Sequence, residues 1–143
     1  MSTFGTQALL LGGLLSVAAA MAHLACIALG APAYRLMGAG EKMARAAEAG
    51  KLRPTLVTLA VTAILLTWAA YALAGAGIIG PLPFTRPALA AICAVYLGRA
   101  VAFPLLKPAF PDNSQTFWLV SSSTCLVIGV VHAFGLISQW PVL

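Results

Sequence analysis

Residues 54–77 read PTLVTLAVTAILLTWAAYALAGAG and contain no Asp, Glu, Lys or Arg. A helix needs about 20 consecutive apolar residues to cross the hydrocarbon core of a bilayer, and this segment is long enough. A single strand would leave its backbone groups unpaired in lipid, so an α-helix is the predicted structure. Pro54 suits the first turn of such a helix. The segment therefore predicts one transmembrane helix.

Three further apolar runs are also long enough to cross the hydrocarbon core, at residues 8–33, 87–106 and 117–138. The 143-residue chain is 62% hydrophobic and only 8% charged, whereas about 25% of the residues of a soluble domain are charged. This composition excludes an ordinary cytosolic enzyme, a disordered segment and a disulfide-stapled secreted domain. We predict an all-α fold: a four-helix transmembrane bundle forming one integral membrane domain over residues 1–143.

The connection at residues 35–53 holds five of the eight basic side chains. Within it Glu41 and Arg45 stand four residues apart in the orientation that stabilises a helix, and Gly50 suits a helix end. We therefore predict a short amphipathic interfacial helix over residues 40–50, between helices 1 and 2. The positive-inside rule places this connection in the cytoplasm and both termini outside. The chain is then a multi-pass protein of the cell membrane, the inner membrane in a bacterium.

The formal net charge of +5 does not indicate nucleic-acid binding, because the basic side chains gather in that one connection. A basic connection lying against anionic headgroups gains roughly 1 kcal/mol per basic residue. The predicted partner is therefore the lipid bilayer itself.

Small residues recur at every fourth position in the third and fourth runs, a spacing that lets helices approach closely in lipid. They are Ala90, Ala94, Gly98 and Ala102 in the third run, and Ser121, Cys125, Gly129 and Ala133 in the fourth. Whether each stripe packs within one chain or between chains stays open at this stage. We expect a homo-oligomer.

Arg99 is the most informative single residue, because it lies about 12 Å inside the predicted third helix, counted from Lys107. An arginine at the centre of a membrane helix costs at least about 2.5–3.5 kcal/mol, so it needs a partner. None of the four runs contains a carboxylate. Two interpretations follow: Arg99 has a structural role, in which it snorkels or forms an ion pair with Glu41, or it binds an anion or a lipid headgroup. Tyr96 lies one turn away on the same face.

His23 and His132 are the only histidines, and both lie inside apolar runs. Counted from Tyr34 and Trp140, each sits about 12–17 Å from its own end of the span, so the two depths coincide near the midplane. One use of such a pair is a b-type haem held by both imidazoles, with Arg99 against a propionate. Others are a proton relay or two hydrogen-bonded core histidines. Beyond this haem alternative, no cofactor and no metal are predicted.

Other polar side chains complete the predicted ligand-binding site. Ser121 and Cys125 share a helix face with His132, and Tyr71 lies on the second helix. The predicted ligand-binding set is Arg99, Tyr96, His23, His132, Ser121, Cys125 and Tyr71. We find no glycine-rich phosphate loop, paired carboxylates or histidine–glutamate metal motif, so no catalytic residue is predicted.

The stretch HLACIALGAPAYR at residues 23–35, with GAGE at 38–41, VYLGR at 95–99 and IGVVH at 128–132, resembles small four-helix bacterial inner-membrane proteins. The resemblance implies location and helix number but no activity. The expected function is a non-enzymatic one, in which an intramembrane polar site binds or moves a small anion or lipid. The alternatives are a haem-binding or redox protein, and a structural subunit of a membrane complex.

Overall fold

The computed structural model describes residues 3–143, and every regular element in that part of the chain is helical. The first two residues of the predicted 1–143 domain lie outside it. Seven α-helices and one 3-10 turn, Lys107–Ala109, follow in this order: α1 (Thr3–Leu29), α2 (Ala31–Leu36), α3 (Glu41–Glu48), α4 (Arg53–Gly75), α5 (Thr85–Val101), α6 (Phe103–Leu106) and α7 (Gln115–Gln139). The predicted all-α fold is confirmed.

Three helices, α1, α4 and α7, are long and apolar enough to cross a membrane. A fourth candidate span exists if α5 is counted with the helical segment after it, which bends away by 67°. The predicted helix at 54–77 corresponds to α4, with ends within two residues. The predicted interfacial helix at 40–50 corresponds to α3. Gly50 follows α3 at φ 68°, where its N–H donates to Ala47 O at 3.0 Å and closes the helix.

Two predicted helices end earlier than expected because glycine and proline interrupt them, and the first also begins earlier, at Thr3. The run at 8–33 breaks at Gly30, whose φ of 76° suits glycine, and Pro32 then begins α2. The run at 87–106 breaks after Val101, because Pro104 has no N–H to donate to the carbonyl of Ala100 and its ring crowds that carbonyl. Each break turns the chain at the same end of the bundle.

The four long helices form a ring in which α1 contacts α4 and α7, while α5 contacts α7 and, less extensively, α4. The common core contains Leu9, Leu65, Leu89, Ile92, Ile128 and Leu136. A second, smaller core joins α2 and α3 to the end of α1 through Tyr34, Cys26 and Ala44. The chain therefore forms one bundle with a small helical elbow at one end.

The bundle is apolar on its outer surface and partly polar inside. Large aliphatic side chains point outward on every long helix, with Ile137 73% and Leu14 54% exposed. The buried polar side chains are Ser16, Thr58, Thr62, Ser122, His132 and Gln139. The Thr58 and Thr62 hydroxyls donate to carbonyls one turn back, at 2.7 and 2.8 Å. This distribution is typical of helices solvated by lipid.

Charged side chains concentrate at one end, which we call the basic end. It comprises α2, α3, α6, the last turns of α1 and α5 and the first turns of α4 and α7. With the connections between these elements, it holds seven of the eight basic side chains and all three carboxylates. The opposite end contains the start of α1, the 76–84 connection and residues 140–143. Arg86 is the basic side chain there, stacked 5.5 Å from the Trp140 ring.

Candidate functional site

Arg99 points from α5 toward α7 and is half-buried. Its guanidinium donates to the hydroxyls of Ser121 at 2.8 Å and Ser122 at 3.5 Å. The same group stacks 5.3 Å from the centre of the Trp118 ring. All of these partners are neutral. In the described part of the chain no carboxylate lies within ion-pair distance of Arg99.

The predicted ion pair between Glu41 and Arg99 is wrong. Glu41 accepts hydrogen bonds from Arg35 at 2.8 and 2.9 Å, and Arg35 also reaches Glu48 at 2.9 Å. The reason is local. Arg35 lies in the last turn of α2, and the two glutamates are the first and last residues of α3, so the elbow brings them together. The hydrogen bonds donated by Arg35 lower the pKa of Glu41 to about 2, and donating to Glu41 and Glu48 raises the pKa of Arg35.

Tyr96 lies at the centre of the bundle, 5% exposed, one turn before Arg99. Its hydroxyl shares a 2.8 Å hydrogen bond with the Ser16 hydroxyl of α1. The Trp68 ring of α4 meets the Tyr96 ring edge-on at 5.1 Å. Tyr96 therefore contacts α1 through its hydroxyl and α4 through its ring, and these two contacts fix the rotation of α5.

His132 is fully buried in α7 and stacks on the Tyr96 ring at 5.4 Å. Its Nδ1 lies 2.8 Å from the carbonyl of Ile128, which can only accept, so the proton is on Nδ1. Its Nε2 is then an acceptor, and it has no hydrogen-bond partner among residues 3–143. A Cβ at Gly12 of α1 would lie 2.7 Å from the imidazole, so only glycine allows this approach.

The structure does not bring His23 and His132 together. The His132 ring lies beside Gly12, and His23 follows Gly12 by eleven residues in α1, about 16 Å along the helix axis. His23 is half-buried near the basic end and bonds only the Ala19 carbonyl, at 2.7 Å. The equal-depth prediction fails because α1 ends at Leu29, not near Tyr34. One haem iron therefore cannot be bound by both imidazoles in this arrangement.

The remaining predicted residues occupy different places. Ser121 is the closest partner of Arg99. Cys125 and Tyr71 pack against the apolar core, partly buried, and the Tyr71 hydroxyl makes no hydrogen bond within the described residues. Among residues 3–143, no group of three or more His, Cys, Asp or Glu side chains is placed to hold a metal ion.

Two groups of polar side chains lie one turn apart on α5, and we call them together the polar seam: Arg99 with Ser121 and Ser122, and Tyr96 with Ser16 and His132. It runs from the basic end to the middle of the bundle along α1, α5 and α7. The predicted ligand-binding set omitted Ser16 and Ser122, and the neighbouring Trp118 was not predicted. The available signal for Ser16 was that it is the single polar side chain of α1 between Gln7 and His23.

Comparisons with known protein families, with curated proteins and with solved structures find no match to this chain. The geometry of the polar seam and of the basic end is therefore what bears on function.

Proposed function

We propose that this chain is a multi-pass inner-membrane protein that binds an anion at Arg99. The anion is either a small anion or the phosphate of a lipid. The observation that carries the proposal is a charge imbalance. The chain has three carboxylate side chains, and Glu41 and Glu48 are bonded to Arg35. Asp112 accepts from the Glu41 N–H at 3.2 Å. None of them neutralises Arg99.

Among the described residues the Arg99 guanidinium contacts hydroxyls and an indole ring, so no negative charge lies beside it. Ser121 and Ser122 lie six and seven residues into α7, which places the charge about 10 Å from the start of that helix. At that depth in a bilayer an uncompensated arginine is costly. An anion entering from the basic end supplies the missing negative charge, and the serine hydroxyls orient the guanidinium toward it.

Membrane insertion as a four-helix bundle is part of the proposal, with α5 and the bent segment after it forming the fourth span. The apolar outer surface supports it. The basic end then faces the cytoplasm with the 35–53 connection, and both termini lie outside. The likeness to small four-helix bacterial membrane proteins belongs to the same proposal.

We further propose that the protein works as a homo-oligomer. The small-residue stripe of α5 supports this, because Ala90, Ala94 and Gly98 face outward and a Cβ at Gly98 would meet no other atom. Close approach of a second helix on that face is sterically open. A four-helix protomer encloses little volume, so movement of the anion across the membrane would need a path shared between copies. Binding is therefore the primary function proposed.

The test is native mass spectrometry of the protein released gently from its own membrane. We expect the wild type to retain a defined anionic mass, either a phospholipid or a small anion, and Arg99→Gln to lose it. Gln keeps a hydrogen-bond donor for Ser121 but removes the charge. Arg86→Gln is the matched control, because Arg86 is also half-buried and stacked on a tryptophan, but at the opposite end.

Retention of the same mass by Arg99→Gln would overturn the proposal. Loss of the oligomer in Arg99→Gln, with no bound mass on the wild type, would assign Arg99 a packing role in a structural subunit instead.

A further inference from the structure

A groove of about 1010 Å³ lies at the basic end, between α3, the connection to α4 and the segment at residues 109–112. We call it the α3 groove. Four basic side chains line it on the side of α3 and α4: Lys42, Arg45, Lys51 and Arg53. Apolar side chains line the other side: Ala109, Phe110 and Pro111. The groove is therefore amphipathic, with a positive wall facing an apolar one.

The positive charge of the α3 groove is largely unpaired. Lys42, Lys51 and Arg53 make no side-chain hydrogen bond or ion pair with the described residues. Two carboxylates also line the groove; Glu41 accepts from Arg35, and Asp112 accepts from the Glu41 N–H. An anion entering the groove therefore meets four cations against two carboxylates, and Lys42, Lys51 and Arg53 have no internal partner among the described residues.

The apolar wall is fixed in place by the segment that precedes α7. Asn113 donates from Nδ2 to the Gly38 carbonyl at 3.1 Å. The Phe117 ring fills the space over Gly38, where any Cβ would overlap it and where φ is 75°. Asp112 is bonded to the first turn of α3. These contacts hold the two walls at a set separation, so the groove exists before a ligand arrives.

We propose that the α3 groove binds the phosphate-bearing headgroup of an anionic membrane phospholipid. The basic wall contacts the phosphate, and Phe110 and Pro111 cover the glycerol and the first acyl carbons. A free inorganic anion would use the basic wall but not the apolar one, which is why a lipid fits better. The inference rests on the proposed membrane insertion of the chain and is independent of anion binding at Arg99.

The test uses the whole purified chain in a non-ionic detergent, titrated with dihexanoyl-phosphatidylglycerol and followed by native mass spectrometry. Dihexanoyl-phosphatidylcholine and inorganic phosphate are titrated in parallel. We expect the triple variant K42Q/K51Q/R53Q to bind phosphatidylglycerol about 100-fold more weakly, since each basic side chain near anionic lipid contributes about a fivefold gain in affinity.

Single variants provide the matched control. Lys51→Gln is expected to weaken binding about fivefold. Lys107→Gln removes the same charge at the same end but outside the groove, where Lys107 already bonds Gln115 at 2.7 Å, and is expected to leave binding unchanged. All titrations are run in the wild type and in Arg99→Gln; that variant lacks the proposed Arg99 site and keeps the groove, so the failure of one site is distinguishable from that of the other. In the Arg99→Gln background, equal losses in Lys51→Gln and Lys107→Gln, or inorganic phosphate binding as tightly as the lipid, would overturn the proposal.

Discussion

The two ends of the bundle are held together by different forces. At the basic end Arg35 ties α2 to both ends of α3 through Glu41 and Glu48, and Asp112 joins the segment before α7 to α3. Toward the opposite end the helices meet through glycines. Cβ atoms at Gly12 and Gly135 would lie 2.7 and 2.6 Å from side chains of the facing helix.

In the membrane-inserted bundle that we propose, the two ends lie in different surroundings. Ion pairs between exposed side chains are weak and screened in water, so they orient the elbow more than they stabilise it. Within lipid there is no hydrophobic drive for helices to associate, and close packing at small residues supplies the attraction instead. Removing the glycine contacts should therefore cost more stability than removing the ion pairs.

The largest expected effect is that of Gly12→Ala. Its new Cβ would overlap the fully buried His132 ring, which Tyr96 stacks against, so the ring has little room to retreat. We expect a loss of about 1–3 kcal/mol in the free energy of unfolding, as for overpacked cores. Unfolding in mixed micelles, followed by circular dichroism, measures it.

Gly98→Ala is the control for this substitution, because Gly98 is also helical but a Cβ there would meet no other atom of the same chain. Its stability is expected to stay within about 1 kcal/mol of the wild type or to rise, since alanine is the better helix former. Similar losses of stability in both variants would show that the close contact between α1 and α7 is not the reason why residue 12 is glycine.

A smaller effect is expected from Tyr96→Phe, which tests the polar seam between the two ends. The change removes the 2.8 Å hydrogen bond to Ser16 and keeps the aromatic packing. Hydrogen bonds between membrane helices average about 0.6 kcal/mol, with a maximum of about 1.7. The same micelle unfolding experiment measures the difference.

Tyr71→Phe removes a hydroxyl that is unbonded within the described residues and should leave stability unchanged. If Tyr71→Phe and Tyr96→Phe behave alike, the Ser16 hydrogen bond contributes nothing measurable.

The smallest effect concerns the pH dependence of the basic end. Because the Arg35 hydrogen bonds lower the pKa of Glu41 to about 2 from 4.5, the folded carboxylate stays ionised where the unfolded one takes up a proton. The stabilisation by Glu41 is therefore complete above pH 4.5 and is lost as pH falls toward about 2. The melting temperatures of wild type and Glu41→Gln, compared across this range, should converge at the acid limit. A difference in melting temperature that stays constant with pH would contradict the conclusion that the hydrogen bonds to Arg35 keep Glu41 ionised.

Sequence reasoning located the helices well where turn chemistry was unambiguous. Pro54 and the glycines at 75–77 bracket α4, and Gly50 closes α3 as predicted. It overran α1 and α5, because Gly30 and Pro104 were not weighed as interruptions. The predicted ligand-binding set also contained both Ser121 and Arg99, and the structure brings them into contact at 2.8 Å.

The same reasoning could not predict which residues that are distant in the sequence form pairs. The Glu41–Arg99 pair failed because the elbow geometry of α2 and α3 gives Glu41 to Arg35. The two histidines were placed at one depth because the end of α1 was misjudged.

Composition and run length by themselves determined that this chain is helical, apolar outside and charged at one end, since these properties depend on each residue's own preference for lipid or water. Only the tertiary structure decided which side chains meet. The physical reason is that the faces of α1, α4 and α7 differ little in hydrophobicity, so no hydrophobic face specifies how each helix is rotated. That choice is made by contacts such as Gly12 against His132 and Ser16 with Tyr96.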